Sequence, residues 1–486
     1  MPAQEEDAAW EGITAAVAKV GVPEAEGLRL HLRIEAHEAT QGSILAWLRS
    51  MAYCFVRALQ PSRANVFEIA EGSFLFCMPF DGGANLNNLL PVARLAAARG
   101  LLSGIVYDRV ERGLLEREFP KTPLLSSKEL WVSVSVGRRL AGLFRGVSCT
   151  WKLARALDAA LPEVRRGVLR NPWRWAHEVS AAATYREAFR KLFRRCRPCF
   201  LLSTSDYFPF DSQFFEAGRL LGIPGAVVQH GVMGAHDWPF TAEYRFLWGV
   251  GACDELAAMG APRGRLVATG MVASDRLFAR AARDGAGPAD GHLPRVLFIS
   301  QAHASSQLPE LYQRLSEILT KIVEATPAVR WAVKLHPAED GSFYRGLPGA
   351  TSERLEILPG GTRLEDALIG ADIVCTMYSA AGLEAIIAGK PLFVLDIHPM
   401  VSRYGWWPSF GGGVFCRTEA EVFAEIQALT GDEIYRARRM ERQEKFVAGY
   451  FANRGRAAVA VLDAALERSS GGGAPAGRDR QPGEGP

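Results

Sequence analysis

Five residues of this chain carry side chains suited to handling a phosphorylated substrate: Asp206, His230, His336, Ser379 and Glu384. Each lies at, or just beyond, a short apolar run. Val333-Lys334-Leu335-His336-Pro337 puts an imidazole directly off a predicted buried strand, and Pro337 disfavours helix for the residue before it, which holds His336 in an extended turn. Thr376 to Glu384 runs from another predicted strand through Tyr378, Ser379 and Ala380 into a predicted helix, whose first N–H groups and positive dipole end suit a phosphate. Glu384 falls about one and a half turns into that helix, within reach of a sugar hydroxyl. Together with Lys334, and with Ser300-Gln301 at the end of a third apolar run, these groups suggest a site for a nucleotide-linked donor. Without that function, His336 is a satisfied strand-end histidine and Glu384 a solvated helix residue.

Asp206 and His230 end two further predicted parallel strands, Cys199 to Thr204 and Ala226 to Val228. A carboxylate there could act as base or nucleophile, and an imidazole could shuttle a proton or hold a phosphate oxygen. A lone Asp after a strand is more often a helix cap or turn former.

These residues need a scaffold of alternating strands and helices, and the chain supplies one. Phe74 to Met78, a loop through Asp81, Gly82, Gly83 and Asn85, a helix from Leu86 to Ala98 and a strand Gly104 to Tyr107 form a strand-loop-helix-strand unit, so the first sheet should be parallel. The glycines of that loop match neither a dinucleotide fingerprint nor a Walker loop, but they suit close approach of an acceptor. The second half alternates again from Phe246 through the strand at Arg295 to Ile299, the His336 strand, the Ser379 turn and Leu392 to Leu395. The domains expected are a helical N-terminal extension (1–60), a first Rossmann-like domain (61–240) with a helical insertion (130–195), a second (241–468) and a disordered tail (469–486).

Hydrophobic content of 48% with 22% charged residues is ordinary for a globular protein, and 486 residues are too many for one core. A formal net charge of +3 gives no reason to expect nucleic acid. The start lacks a secretory pattern and no apolar run reaches a membrane span, so a cytoplasmic protein is expected. Arg138, Arg139, Arg145, Arg165, Arg166, Arg194 and Arg195, interleaved with Trp151, Trp173 and Trp175, leave open an anionic glycan surface or a peripheral association with the inner face of the membrane, although such arginines are more often solvated helix faces. Cys196-Arg197-Pro198-Cys199 has no second cysteine pair and no histidine at metal spacing, which makes it a chance pair and not a zinc or redox site.

Gly222-Ile223-Pro224 through Gln229-His230-Gly231, then Trp248-Gly249, Val267 to Gly270 with Asp275, Lys334 to Pro337 and Ser379 to Pro391 together resemble the GT-B glycosyltransferases of bacterial capsule and surface polysaccharide synthesis, a group that includes β-Kdo transferases, polysialyltransferases and CDP-glycerol glycerophosphotransferases. The resemblance covers roughly residues 200 to 400. It implies an α/β architecture of two facing Rossmann-like domains, with the donor nucleotide on the C-terminal one and a glycan or glycolipid acceptor mostly on the N-terminal one. It also implies donor-phosphate contacts from His336 and Ser379, a cleft-facing His230, transfer without a metal or other cofactor, and a nucleophile for which Asp206 is the candidate. The continuation after His230 tips the donor towards a CMP-linked ulosonic acid such as Kdo. The alternatives are CDP-glycerol, a UDP-N-acetylhexosamine 2-epimerase sharing this fold, and a polysaccharide assembly or export partner without turnover.

Overall fold

Short, almost wholly apolar segments form the two sheets, because strands covered by helices on both faces need no polar alternation. The computed structural model describes residues 44–62, 73–80, 83–157, 162–233, 237–284, 293–301, 309–336, 339–347, 355–359, 361–398, 401 and 411–470. The first sheet holds β1 (Phe74–Phe80), β2 (Leu102–Arg109), β3 (Leu124–Ser126), β4 (Phe200–Ser203), β5 (Gly225–Val228), β6 (Tyr244–Leu247) and β7 (Leu266–Ala268). Their order is β3-β2-β1-β4-β5-β6-β7, and every pairing is parallel. The order therefore reverses between β1 and β4, where Phe74 pairs with Phe200 and Cys77 with Ser203.

The second sheet is built the same way from β8 (Arg295–Ile299), β9 (Arg330–Lys334), β10 (Leu355–Ile357), β11 (Ile373–Thr376), β12 (Leu392–Leu395) and β13 (Val414–Cys416). Its order, β10-β9-β8-β11-β12-β13, reverses between β8 and β11. Ile299 pairs with Thr376 there, so both strands end at the same level. Each sheet thus has one point at which neighbouring strands diverge, which is where such folds leave a crevice.

The described residues form two compact units. The first contains those up to Leu247, Cys253–Thr269 and those from Ala458; the second contains Trp248–Ala252 and Gly270–Ala457. The boundary expected after residue 240 cuts through the first sheet, because β6 and β7 extend it by hydrogen bonding to β5 and to each other. The helix expected from Leu86 starts at Gly83, and β3 is a strand that three residues are too few to announce. Residues 1–43, the loop after Asp284 and the tail from 471 lie outside the described residues.

The helical insertion packs on the first sheet. Its longest helix, Pro172–Cys196, starts where Asn171 accepts a hydrogen bond from the Arg174 N–H with Pro172 in the first turn, and ends at Arg197, which takes the left-handed conformation (φ 42°) and returns its N–H to the Phe193 carbonyl. Between these caps Trp175, Val179, Ala182, Phe189, Phe193 and their neighbours face inwards. Phe189 and Phe193 meet Phe214 of the helix Pro209–Leu220 edge-on, with centroids 5.4 and 5.6 Å apart. The helix Val136–Ala156 lies so close that a Cβ on Gly146 would come within 2.2 Å of the Ala176 carbonyl oxygen. The arginines and tryptophans of this region are not all surface groups. Arg139 and Trp175 are buried, Trp173 is half-buried and Trp151 is exposed. Cys196 and Cys199 are unpaired thiols leading into β4. Among the described residues, no helix is long and apolar enough to cross a membrane.

Candidate nucleotide-sugar site

At the divergence point of the second sheet, β8 and β11 run out into the segments that carry Gln301 and Tyr378. The Tyr378 N–H donates to Gln301 Oε1 at 3.0 Å, and the Thr376 hydroxyl donates to the Ile299 carbonyl at 3.0 Å, so the two strand ends are laced together across the crevice. Gln301 and Tyr378, read from separate strand ends, therefore occupy one place. Ser379 and Ala380 follow immediately and lead into the helix Ala381–Ile387, with the Ser379 Oγ accepting from the Ala381 N–H at 3.3 Å. The helix begins two residues later than expected, which places Glu384 in its first turn. Glu384 is half-buried, and burial, helped by the charge of Glu365, pushes its carboxyl up to about 7. A carboxyl poised near neutrality can give or take a proton, or accept a hydroxyl.

The end of β9 is held by a residue that sequence reasoning missed. Glu339 Oε2 accepts from the His336 N–H at 2.9 Å and from the Ser300 hydroxyl at 2.6 Å, and the Glu339 N–H returns to the His336 carbonyl at 2.9 Å. His336 is thereby fixed in its turn, with the side chain exposed. Ser300 is a correction: it is buried, and its hydroxyl is taken up by Glu339 and by the Tyr344 phenol at 2.5 Å, so it braces the strand end instead of reaching a ligand. Lys334 is also buried; its Nζ donates to the Leu335 carbonyl at 2.7 Å, and desolvation lowers its affinity for a proton despite nearby Glu339. Pro337 lies outside the described residues.

In the first unit, β4 and β5 deliver Asp206 and His230 a few residues beyond adjacent strand ends. Asp206 has little left for chemistry. Its side chain is 1% exposed; Oδ1 takes the Arg245 guanidinium at 2.6 Å, and Oδ2 accepts the N–H groups of Thr241 at 2.7 Å and Ala242 at 3.0 Å. Both oxygens are committed to fastening the segment before β6 onto the end of β4, and the nucleophile expected at Asp206 has no exposed oxygen. His230 lines a cavity of ≈ 60 Å³ with Tyr207, Gln229, Asp237 and Arg245. The Tyr207 phenol donates to Asp237, and burial with that negative neighbour raises the phenol well above its ordinary range. On the proposed acceptor side, Asn85 accepts from the Thr204 hydroxyl at 2.9 Å, joining the helix after β1 to the end of β4. Gly83 opens that helix, while Asp81 and Gly82 lie outside the described residues. Among the described residues, no group of three or more His, Cys, Asp or Glu side chains is arranged to hold a metal ion.

No protein family matches this sequence, and no curated protein does. Solved structures do match it in shape. A UDP-N-acetylglucosamine 2-epimerase matches with TM-score 0.51 and 14% identity over 86% of this chain and 100% of that one. S. aureus MnaA in complex with UDP gives 0.51 and 12% over 80% and 95%. The UDP-GlcNAc 2-epimerase of Neisseria meningitidis bound to UDP-GlcNAc gives 0.50 and 11% over 81% and 100%. The fold is GT-B. Two Rossmann-like units with parallel sheets are what a GT-B chain requires, and identities this low establish the fold alone. In open parallel sheets of this kind the crevice for a ligand lies beyond the C-terminal strand ends, where the strand order reverses.

Proposed function

We propose that this chain is a glycosyltransferase that takes a sugar from a nucleotide-activated donor held by its second unit. The observation that carries the reading is the Gln301–Tyr378 hydrogen bond across the divergence of β8 and β11, which sets Ser379, Ala380 and Glu384 beside one crevice. Backbone N–H groups after Tyr378 would receive the phosphates, His336 would approach them from β9, and Glu384 would accept sugar hydroxyls. His230 in the first unit is the proposed proton shuttle. The donor favoured by the sequence is CMP-linked, whereas UDP and UDP-GlcNAc are the ligands in the structures of similar shape.

The second reading, a UDP-N-acetylhexosamine 2-epimerase, is favoured by Glu384, whose carboxyl at about 7 suits proton transfer at a sugar carbon. One experiment separates the two. Thermal unfolding is followed with CMP, CDP, UDP and GDP, since a ligand bound only by the folded state raises its apparent stability. The responding nucleotide sugar is then incubated with the protein and followed by NMR. Release of nucleotide that depends on an added glycan supports transfer, and a new C2 epimer with no nucleotide released supports epimerisation. Absence of any nucleotide shift would remove both.

A further inference from the structure

A cavity in the first unit is lined by none of the strand-end residues Asp206, His230, His336, Ser379 and Glu384. It is an open pocket of ≈ 910 Å³ in the first unit, over the C-terminal ends of β2 and β3, walled by the helices Ile44–Leu59 and Ser127–Val132. That volume is in the range of pockets that hold organic ligands. Four cations line it, Arg57, Arg109, Arg112 and Lys128, against two carboxylates, Asp108 and Glu129.

The carboxylates are already at work inside the protein. Glu129 Oε2 accepts the Ser126 N–H and hydroxyl, each at 2.7 Å, completing the cap of its helix, and Asp108 accepts from Ser127. Arg112 is shared between Glu116 at 2.7 Å and Glu129 at 3.5 Å, and Arg109 lies 3.7 Å from Asp108. Lys128 is exposed and forms no ion pair with a described residue. Arg57 is held in place: its guanidinium lies 4.7 Å above the Trp131 ring, donates to the Tyr53 phenol at 2.7 Å and reaches the Tyr185 phenol at 3.3 Å. Its backbone is gripped as well, since the Arg57 carbonyl accepts from the Trp131 indole at 3.0 Å and from the buried Arg139 at 3.4 Å. A guanidinium with so little freedom loses little entropy on binding an anion.

We infer that this pocket binds an acidic saccharide, one bearing a carboxylate or a phosphate. The four cations would take the acid group. The oxygens of Asp108 and Glu129 and the phenol of Tyr107 would face sugar hydroxyls, and Tyr53, 53% exposed at the edge, offers a ring to the C–H face of a sugar. This site stands on its own lining and does not depend on which reaction the second unit performs.

Calorimetric titration of the whole chain with glucuronic acid, N-acetylneuraminic acid, glucose 1-phosphate, neutral glucose and inorganic phosphate tests it. The acidic sugars bind and glucose does not; preference among them tells carboxylate from phosphate. Lys128→Ala with Arg112→Ala, both exposed positions, weakens that binding by about tenfold or more while the circular dichroism spectrum and the nucleotide-induced thermal shift stay as in the parent. The inference is overturned if no acidic sugar binds, if inorganic phosphate binds as tightly as any sugar, or if binding is indifferent to the double substitution.

Discussion

Asp206→Ala separates a catalytic carboxylate from a structural one. Truncation removes the acceptor of three hydrogen bonds, from Arg245 at 2.6 Å and from the N–H groups of Thr241 and Ala242 at 2.7 and 3.0 Å, and leaves a guanidinium whose side chain is only 5% exposed. Breaking a buried pair from one side costs about 3–5 kcal/mol, because the surviving charge and the orphaned N–H groups stay out of water. Against a total stability of about 5–15 kcal/mol this is a large fraction, and at about 2–4 °C per kcal/mol it lowers the melting temperature of the first unit by about 6–20 °C. The assay is urea and thermal unfolding of Asp206→Ala, Asp206→Asn and Asp206→Ala with Arg245→Met. Asp206→Asn keeps an acceptor for the N–H groups and loses less. The double variant recovers part of the loss, since no buried charge is left alone. An unfolding midpoint equal to the parent's, together with abolished turnover, would refute this reasoning and restore Asp206 to the mechanism.

Three further outcomes are expected. Asp211, fully buried, accepts the Phe208 and Ser212 N–H groups, yet burial, with the charge of Asp206 adding, pushes its carboxyl up to about 7. The stability this group contributes is therefore complete below about pH 4, where an unfolded aspartate is also protonated, and is lost as the pH rises towards 7. Asp211→Asn should gain on the parent by a few kcal/mol at most between those limits, and equal differences in urea midpoint at pH 5 and pH 8 would contradict it. Gly146→Ala forces a Cβ against the Ala176 carbonyl and should cost about 1–3 kcal/mol in thermal unfolding, whereas an unchanged midpoint would show that the two helices can part freely. His336→Ala should abolish the nucleotide-induced thermal shift without lowering the melting temperature, because the side chain is exposed; a destabilised variant would make His336 a structural residue.

The strands were legible because burial on both faces leaves an apolar run that needs no pattern of neighbours to be recognised, and the positions of His336, Asp206 and His230 followed from the ends of those runs. Which sheet a strand joins was not legible. β6 and β7 look like the start of a new alternation, and only hydrogen bonding to β5 reveals that they finish the first sheet. Glu339 was missed although it stands three residues after His336, a spacing at which a side chain can turn back to cap the loop. Arg139 carried a signal that went unused: it falls on the same helical stripe as Gly142, Leu143, Gly146, Cys149 and Leu153, all buried, so an inward guanidinium could have been expected there. Its partners, the carbonyls of Arg57 and Gln60, lie at the end of a helix about eighty residues earlier, which no local pattern can supply.

The last described helix, Ala457–Ser470, follows the whole second sheet in the chain yet belongs, from Ala458, to the first unit. There Asp463 pairs with Arg99 at 3.0 Å, and Arg468 lies 5.2 Å from the Tyr244 ring and 5.9 Å from that of Phe246. During synthesis the first sheet is therefore finished by the ribosome long before its final helix emerges. The surface around Tyr244 stays uncovered by this helix while about two hundred residues of the second unit are made. A stop codon anywhere in the second unit removes that helix as well, so even a late truncation damages the part of the protein made first.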